Sequence, residues 1–184
     1  MLKSDSYLSQ VFPEPPLTAF RRQSTLKNIL VKTKVPNQPK QNNPRDIKGS
    51  ANCTKSCTAC PYMKTAKEVK LNKNENWLIN KKLNCETYNC IYLIECQKEN
   101  CKAKYIGQTK RQFKYRLANH RGYVNNQVLS TPIGRHFNLP GHCLADLKAI
   151  ILEQVKLNDE IYRLEREKYL INKFNTIHQG LNKE

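Results

Sequence analysis

The chain has 184 residues, of which 32 are lysine or arginine and 15 are aspartate or glutamate, so its formal net charge is +17 at pH 7. That length holds one ordinary domain with extensions, and the charge favours a polyanionic partner, nucleic acid before an anionic membrane surface. No apolar run approaches the roughly 20 residues of a bilayer-spanning helix, so we expect no membrane-embedded segment.

The first 50 residues are basic and rich in proline and asparagine. Prolines exclude a helix over 13–16, whereas Ser24 would cap a short amphipathic helix over 24–32. We therefore predict that residues 1–50 form a largely irregular arm, which either follows the phosphates of a nucleic acid or serves as a linker.

Residues 51–85 are predicted to bind zinc. The chain has eight cysteines, and its polar N-terminus is unlike a secretory signal, which favours thiols or metal ligands over disulfides. Cys57 and Cys60 have the spacing of a zinc knuckle, and Cys53 lies just before them. We expect Cys96 and Cys101 to supply the second pair. The alternatives are Cys53, Cys85, His142 or Cys143 as ligands, Cys90 as a core residue, and unligated thiols in a reducing compartment.

The rest of the chain, residues 86–184, is predicted to be an α+β domain in the order β-β-α-α-β-α. A small three-stranded sheet, mixed or antiparallel, would be flanked by helices. The first strand is apolar on both faces, which predicts a central position, and its link to the second is too short for a parallel crossover. The predicted strands span 89–95, 103–108 and 146–155. The predicted helices start at 111, at Thr131 with Pro132, and at Asn158 or Asp159.

The first of these helices carries a candidate functional pair. Arg116 and His120 are four residues apart and share a helix face. Gly107, just before the helix, would allow a tight turn and close approach to a ligand, and Thr109 would cap the helix. We expect a tyrosine, a glycine, an arginine and a histidine to gather at one end of the hairpin.

One carboxylate interrupts the apolar face predicted for the last helix. Ile161, Leu164, Ile171 and Phe174 mark this face, and Glu167 falls within it. A buried carboxylate costs several kcal/mol unless it is paired or binds a cation. A salt bridge to Arg116 is one explanation, but we favour Mg²⁺, which often binds one carboxylate together with water and phosphate.

These residues together resemble the GIY-YIG nuclease family. The chain has "CIY" with Tyr92, then "YIG" with Tyr105, then Arg-x-x-x-His on a helix, a late glutamate and the terminal Asn182. Cys90 stands where the family usually has glycine. The segments "FPEPPLTAFRR", "CPYM", "TPIGRHFNLPGH" and "HQGLN" are most similar to the C-terminal endonuclease region of Penelope-like retroelements.

The resemblance implies a role for each site residue. Tyr92 would activate the attacking water, directly or as a phenolate favoured by Arg116 and a cation, and Tyr105 would hydrogen-bond that water or the scissile phosphate. Arg116 would bind phosphate oxygens, and His120 would assist proton transfer or hold Tyr92. The remaining implied roles are Glu167 as the ligand of Mg²⁺ or Mn²⁺, Asn182 as a buttress, and Gly107 as part of the motif.

The implied function is a divalent-metal-dependent endonuclease that nicks DNA in the nucleus and serves retroelement target cleavage. RNA, or a reverse transcriptase encoded with the chain, is a further expected partner. Two alternatives remain. One is a non-catalytic, zinc-containing relic that binds nucleic acid, and the other is a structure-specific repair nuclease.

Overall fold

A three-stranded antiparallel sheet lies at the centre of the residues that this computed structural model describes, which are 48–71, 75–155 and 159–182. The strands in chain order are β1 (Gly49–Ser50), β2 (Glu68–Lys70), β3 (Asn76–Leu78), β4 (Lys82–Leu83), β5 (Cys90–Cys96), β6 (Lys104–Thr109) and β7 (Leu147–Gln154). The central sheet has the order β6–β5–β7. Every residue of β5 is buried, which confirms the prediction of a central strand that is apolar on both faces.

The helices of the described residues flank this sheet. They are α1 (Phe113–Asn125), α2 (Pro132–Phe137) and α3 (Glu160–Lys173). From β5 onward the order is β-β-α-α-β-α, so the predicted α+β fold class is confirmed.

The predicted helix starts are correct for two of the three helices. The Thr131 side chain accepts a hydrogen bond at the start of α2, and the Asp159 side chain does so at the start of α3. Thr109 does not cap α1, which begins after Gln112. Thr109 pairs with Cys90 as the last residue of β6, and this pairing keeps it in the sheet.

The buried face of α3 differs from the predicted apolar stripe. Ile161 is 71% exposed and Leu164 is 46% exposed. The inward positions are Arg163, Glu167, Leu170 and Phe174, of which Glu167 is half-buried and the others are buried. These residues follow the same spacing of three and four that defines a helix face. Glu167 and Phe174 lie on the inward face as expected, so the predicted face is wrong only for Ile161 and Leu164 in the first half of α3. The buried Arg163 caused the error, because a charged residue was not expected in the core.

The segment from β1 to β4, residues 49–83, covers the outer edge of β7. Within it β1 pairs with β4 in parallel and β2 pairs with β3 antiparallel. The Ile151 N–H donates to Ser50 Oγ over 3.0 Å, and the Lys64 N–H donates to the Ala149 carbonyl over 2.9 Å. An uncovered strand edge is open to pairing with other chains, so these contacts complete the sheet on this side.

The predicted arm, residues 1–50, lies outside the described residues except for 48–50, and so does the short helix predicted over 24–32. The boundary predicted between 85 and 86 stays a prediction. Among the described residues, no helix has both the length and the apolar character needed to cross a bilayer.

Candidate active site

The hydroxyl of Tyr92 is held between two side chains of α1. Tyr92 is fully buried in the middle of β5. Its oxygen lies 2.9 Å from Arg116 Nε and 2.8 Å from His120 Nε2. Because the Arg116 Nε–H must donate to the hydroxyl oxygen, the single hydroxyl proton is available to His120 Nε2. A chain of hydrogen bonds therefore runs from the guanidinium through the phenol to the imidazole.

His120 is buried and neutral at pH 7. Burial, and then the charge on Arg116, lower the pKa of His120 to about 3. A neutral ring that accepts the Tyr92 proton at Nε2 carries its own proton on Nδ1. This Nδ1 is buried and has no hydrogen-bond partner within the described ranges. His120 Nε2 is therefore in position to accept the hydrogen bond from the Tyr92 hydroxyl.

The low pKa of His120 predicts a loss of folding stability in acid. An unfolded histidine titrates near 6.5, so the contribution of neutral His120 is complete above pH 6.5 and falls as the pH drops toward 3. The loss should reach at most about 2 kcal/mol at pH 5. Urea denaturation at pH 7 and pH 5 should show a smaller pH dependence for His120→Gln than for the exposed control His178→Gln. Equal pH dependence in the two variants would contradict this prediction.

Gly107 leaves space for the Tyr92 ring. The two residues face each other across β5 and β6. A Cβ atom on Gly107 would lie 2.5 Å from Tyr92 Oη and 2.9 Å from Tyr105 Cε1. Gly107 was expected to allow a tight turn and close approach to a ligand, but it lies within a strand and has no positive φ. The glycine is needed here because any side chain would displace one of the two phenols.

Gly107→Ala should therefore disrupt the site, and a second glycine supplies the control. Displacement of the buried Tyr92 ring should cost about 1–3 kcal/mol of unfolding free energy and most of the activity. Gly122 lies in α1, and a Cβ there would meet no atom within 4 Å. Gly122→Ala should raise stability by up to about 1 kcal/mol, as for alanine in other helix interiors. Thermal denaturation of both variants tests these two predictions. Equal stability of Gly107→Ala and Gly122→Ala would contradict them.

Glu167 lies at the outer edge of β6, beside both tyrosines. Burial raises the pKa of Glu167, and the opposing effects come from Arg116 and from a hydrogen bond donated by the Gln108 backbone N–H. Burial is also the main cause of the raised pKa values of Tyr92 and Tyr105, to which the negative charge of Glu167 adds. The structure thus brings Glu167, Tyr92, Tyr105 and Arg116 within electrostatic reach of one another.

Asn182 closes the same edge of β6. Its Oδ1 accepts from the Ile106 N–H over 2.9 Å, and its Nδ2 donates to the Ile106 carbonyl over 2.8 Å. Next to it, the Leu181 N–H donates to the Lys104 carbonyl over 2.8 Å. The side-chain amide of Asn182 therefore makes the two hydrogen bonds that a neighbouring strand would make. These bonds hold the backbone between Tyr105 and Gly107 in place.

Tyr92 is a protonated phenol in this structure. Arg116 lowers the pKa of Tyr92, as expected, but burial raises it by more, so the net shift is upward from the usual value of 10. We expected Arg116 and a cation together to favour the phenolate, and Arg116 by itself does not offset the cost of burying an anion. Tyr92 can therefore take a proton from water only if its own proton leaves, and His120 Nε2 is the acceptor in place.

A four-cysteine cluster lies beside β7. The Sγ atom of Cys60 is 3.5 Å from that of Cys53, 3.8 Å from that of Cys57 and 3.6 Å from that of Cys85. Tetrahedral zinc with Zn–S bonds of about 2.3 Å requires sulfur atoms about 3.8 Å apart. Burial raises the pKa of Cys60 and Cys85, and a bound cation would offset that cost. The residue types and their spacing fit zinc.

Cys96 and Cys101 belong to a second cluster, so the expected grouping of Cys57, Cys60, Cys96 and Cys101 in one site is wrong. The second cluster contains Cys96, Cys101, His136 and His142, whose ligand atoms lie within 4.8 Å of one another. Cys101 Sγ is 3.6 Å from His136 Nε2. The two loops place their cysteines next to different partners, which local sequence spacing could not indicate.

Other ligand candidates lie outside both clusters. Cys143 is exposed and interacts with Asp146 instead, and Cys90 is buried in β5, as expected of a core residue. His136 was expected to be a helix-end or surface residue rather than a zinc ligand, but it is buried and belongs to the second cluster. Four residues separate Cys96 from Cys101 and five separate His136 from His142, and this spacing is typical of Cys₂His₂ zinc sites. That signal was present in the sequence.

Comparison with known proteins agrees with this geometry. The family model of the GIY-YIG catalytic domain matches residues 88–182, slightly more than half of the chain. No curated protein and no solved structure matches the chain significantly. The matched region contains the paired phenols, the arginine and histidine of α1, the α3 glutamate and Asn182. The chain therefore belongs to the GIY-YIG family, whose catalytic domain is that of metal-dependent endonucleases.

Proposed function

We propose that this protein is a DNA endonuclease that nicks one strand by hydrolysing a phosphodiester bond with the help of Mg²⁺ or Mn²⁺. The family supplies the reaction class and a nucleic-acid substrate. The observation that carries the proposal is the Tyr92 hydroxyl, held between Arg116 and His120. The net charge of +17 favours long nucleic acids as partners.

Glu167 is the residue that would hold the cation. It is half-buried, and burial raises its pKa, so a bound cation would stabilise its charged form. Mg²⁺ commonly binds one or two carboxylates and completes its shell with water and substrate phosphate, which fits a single glutamate. When bound, the cation polarises a phosphoryl oxygen and offsets the charge that develops on it.

Different side chains of the site move the protons and stabilise the charge that develops on the phosphate. The attacking water gives a proton to the Tyr92 oxygen as Tyr92 passes its own proton to His120 Nε2. The water oxygen forms a bond to phosphorus as the bond from phosphorus to the leaving oxygen breaks. The leaving oxygen keeps the electron pair of that bond and takes a proton from solvent water. Arg116 binds the phosphoryl oxygens and stabilises their charge. Tyr105 hydrogen-bonds the water or the phosphate, and Asn182 keeps the strand that carries Tyr105 in position.

The phosphate also explains how His120 can accept a proton despite its low pKa. Arg116 and burial disfavour a charged imidazole. A bound phosphodiester brings a negative charge close to Arg116, and that charge favours the protonated form of His120. Proton transfer from Tyr92 is therefore easier in the complex than in the free protein.

Each cysteine cluster is proposed to hold one structural zinc ion. The first site consists of Cys53, Cys57, Cys60 and Cys85, and the second of Cys96, Cys101, His136 and His142. Zinc in these sites would stabilise segments that contain little regular structure.

The biological setting is proposed from the sequence resemblance alone. Because several segments resemble Penelope-like retroelements, we propose target cleavage during insertion, in the nucleus, with RNA or a reverse transcriptase as further partners.

A plasmid-nicking assay tests the proposal. Supercoiled plasmid should become open circles in Mg²⁺ or Mn²⁺ and stay intact in EDTA, and zinc analysis of the purified protein should give one ion for each cluster. DNA binding without cleavage in either metal would overturn the proposal and favour a non-catalytic binding module. Strong preference for branched over linear duplex would favour a structure-specific nuclease.

A further inference from the structure

We infer that the four-cysteine cluster is a positioning element for the nuclease site, and that Arg121 is the positioning residue that links the cluster to α1. This inference rests on the proposed function, because the residues that are positioned are Arg116 and His120. It is carried by two separate attachments between α1 and the loops that contain the cysteines.

The first attachment is at the start of α1. The Phe113 N–H donates to the Thr87 carbonyl over 2.8 Å, and the Lys114 N–H donates to the Cys85 carbonyl over 2.9 Å. Gln112, which precedes the helix, provides no side-chain cap. The unpaired N–H groups at a helix start usually require such a cap. Here Cys85, a member of the cysteine cluster, and Thr87, two residues after it, supply the acceptors.

The second attachment involves Arg121, the residue after His120. Its Nη1 donates to the Thr58 carbonyl over 3.0 Å, and Thr58 lies between Cys57 and Cys60. Its guanidinium also lies 4.6 Å from the ring centroid of Tyr62, which follows Cys60 in a short 3-10 helix. Stacking of this kind adds to a hydrogen bond and fixes the orientation of the planar group.

The catalytic pair lies between these attachments. Lys114 and Arg121 are seven residues apart, or about 10 Å along the helix axis, and Arg116 and His120 lie within that interval. Cys60 and Cys85 are 25 residues apart in the chain, yet their Sγ atoms are 3.6 Å apart. Ligation at the cluster would therefore fix the two attachment points relative to each other. A shift of α1 by about 1 Å is sufficient to reduce a catalytic rate about 100-fold.

The experiment compares Arg121→Met with Arg135→Met, using the full chain loaded with zinc. Arg135 is an exposed arginine of α2 whose Nε also donates to a carbonyl, that of Leu129, over 3.2 Å. Both variants lose one positive charge, so nonspecific effects on DNA binding are matched. The readouts are the single-turnover nicking rate in Mg²⁺, the Kd for a short duplex, zinc content, and the ¹⁵N chemical shifts of the His120 ring.

Arg121→Met should lower the nicking rate at least about tenfold relative to Arg135→Met, with similar Kd and zinc content, and should shift the His120 ring signals. Equal nicking rates and unchanged His120 signals in the two variants would overturn the inference. If the parent protein itself does not nick DNA, the proposed function fails, and the His120 signals alone decide the positioning role. If Arg121→Met does not fold, Tyr62→Leu removes only the stacked ring and is measured in the same way.

Discussion

Glu167→Gln is expected to reduce Mg²⁺-dependent nicking by at least about 100-fold while DNA binding is retained. The glutamine oxygen can still accept the hydrogen bond from the Gln108 N–H, but the negative charge that would bind the cation is lost. Since burial raises the pKa of Glu167, the charged form is costly in the fold, and the variant should be at least as stable as the parent. The measurements are plasmid nicking, duplex binding by fluorescence anisotropy in EDTA, and Tm.

The matched control for this variant is Glu165→Gln. Glu165 lies on the same helix and is exposed, so it loses the same charge away from the tyrosines. The control should nick at the parental rate. If Glu167→Gln nicks as fast as Glu165→Gln, Glu167 has no role in metal binding, and the proposed cation site is wrong.

Tyr92→Phe is expected to have a comparable effect on activity, together with a loss of stability. The change removes the oxygen that joins Arg116 Nε and His120 Nε2, and with it the only proposed route for the water proton. Loss of a general base typically costs about 10²- to 10⁴-fold in rate. The two nitrogen atoms would lose a shared partner in a buried site, which should cost about 1–3 kcal/mol.

Tyr88→Phe is the control for Tyr92→Phe, because Tyr88 is 60% exposed. The control should have the parental single-turnover nicking rate and the parental unfolding free energy in urea. Full activity of Tyr92→Phe would show that the proton leaves the water by another route, and the mechanism proposed for Tyr92 and His120 would have to be discarded.

Much of the core architecture follows from local patterns. The apolar run within 89–95 predicted a central strand because both of its faces had to be buried. The short link to β6 excluded a parallel crossover, and Thr131 and Asp159 marked helix starts because their side chains accept hydrogen bonds from free backbone N–H groups. These features depend on residues close together in the chain, where spacing and side-chain chemistry limit the conformations.

The sequence predicted which residues form the candidate site, but it did not predict their protonation states. The motif placed Tyr92, Arg116 and His120 together, and the structure confirms their contact. The protonation states could not be predicted, because they depend on how much surrounding structure excludes water. Burial keeps Tyr92 protonated and His120 neutral, although Arg116 by itself would have favoured the phenolate of Tyr92.

The sequence by itself determined the fold class, the helix period around Glu167 and the residue types of the site, because these depend on composition and on spacings of a few residues. Only the tertiary structure decided which face of α3 is buried, which cysteines share a cluster, and why position 107 is glycine. Each of these depends on residues distant in the chain. Cys85 meets Cys60, His136 meets Cys101, and the Tyr92 ring occupies the space that a side chain on β6 would need.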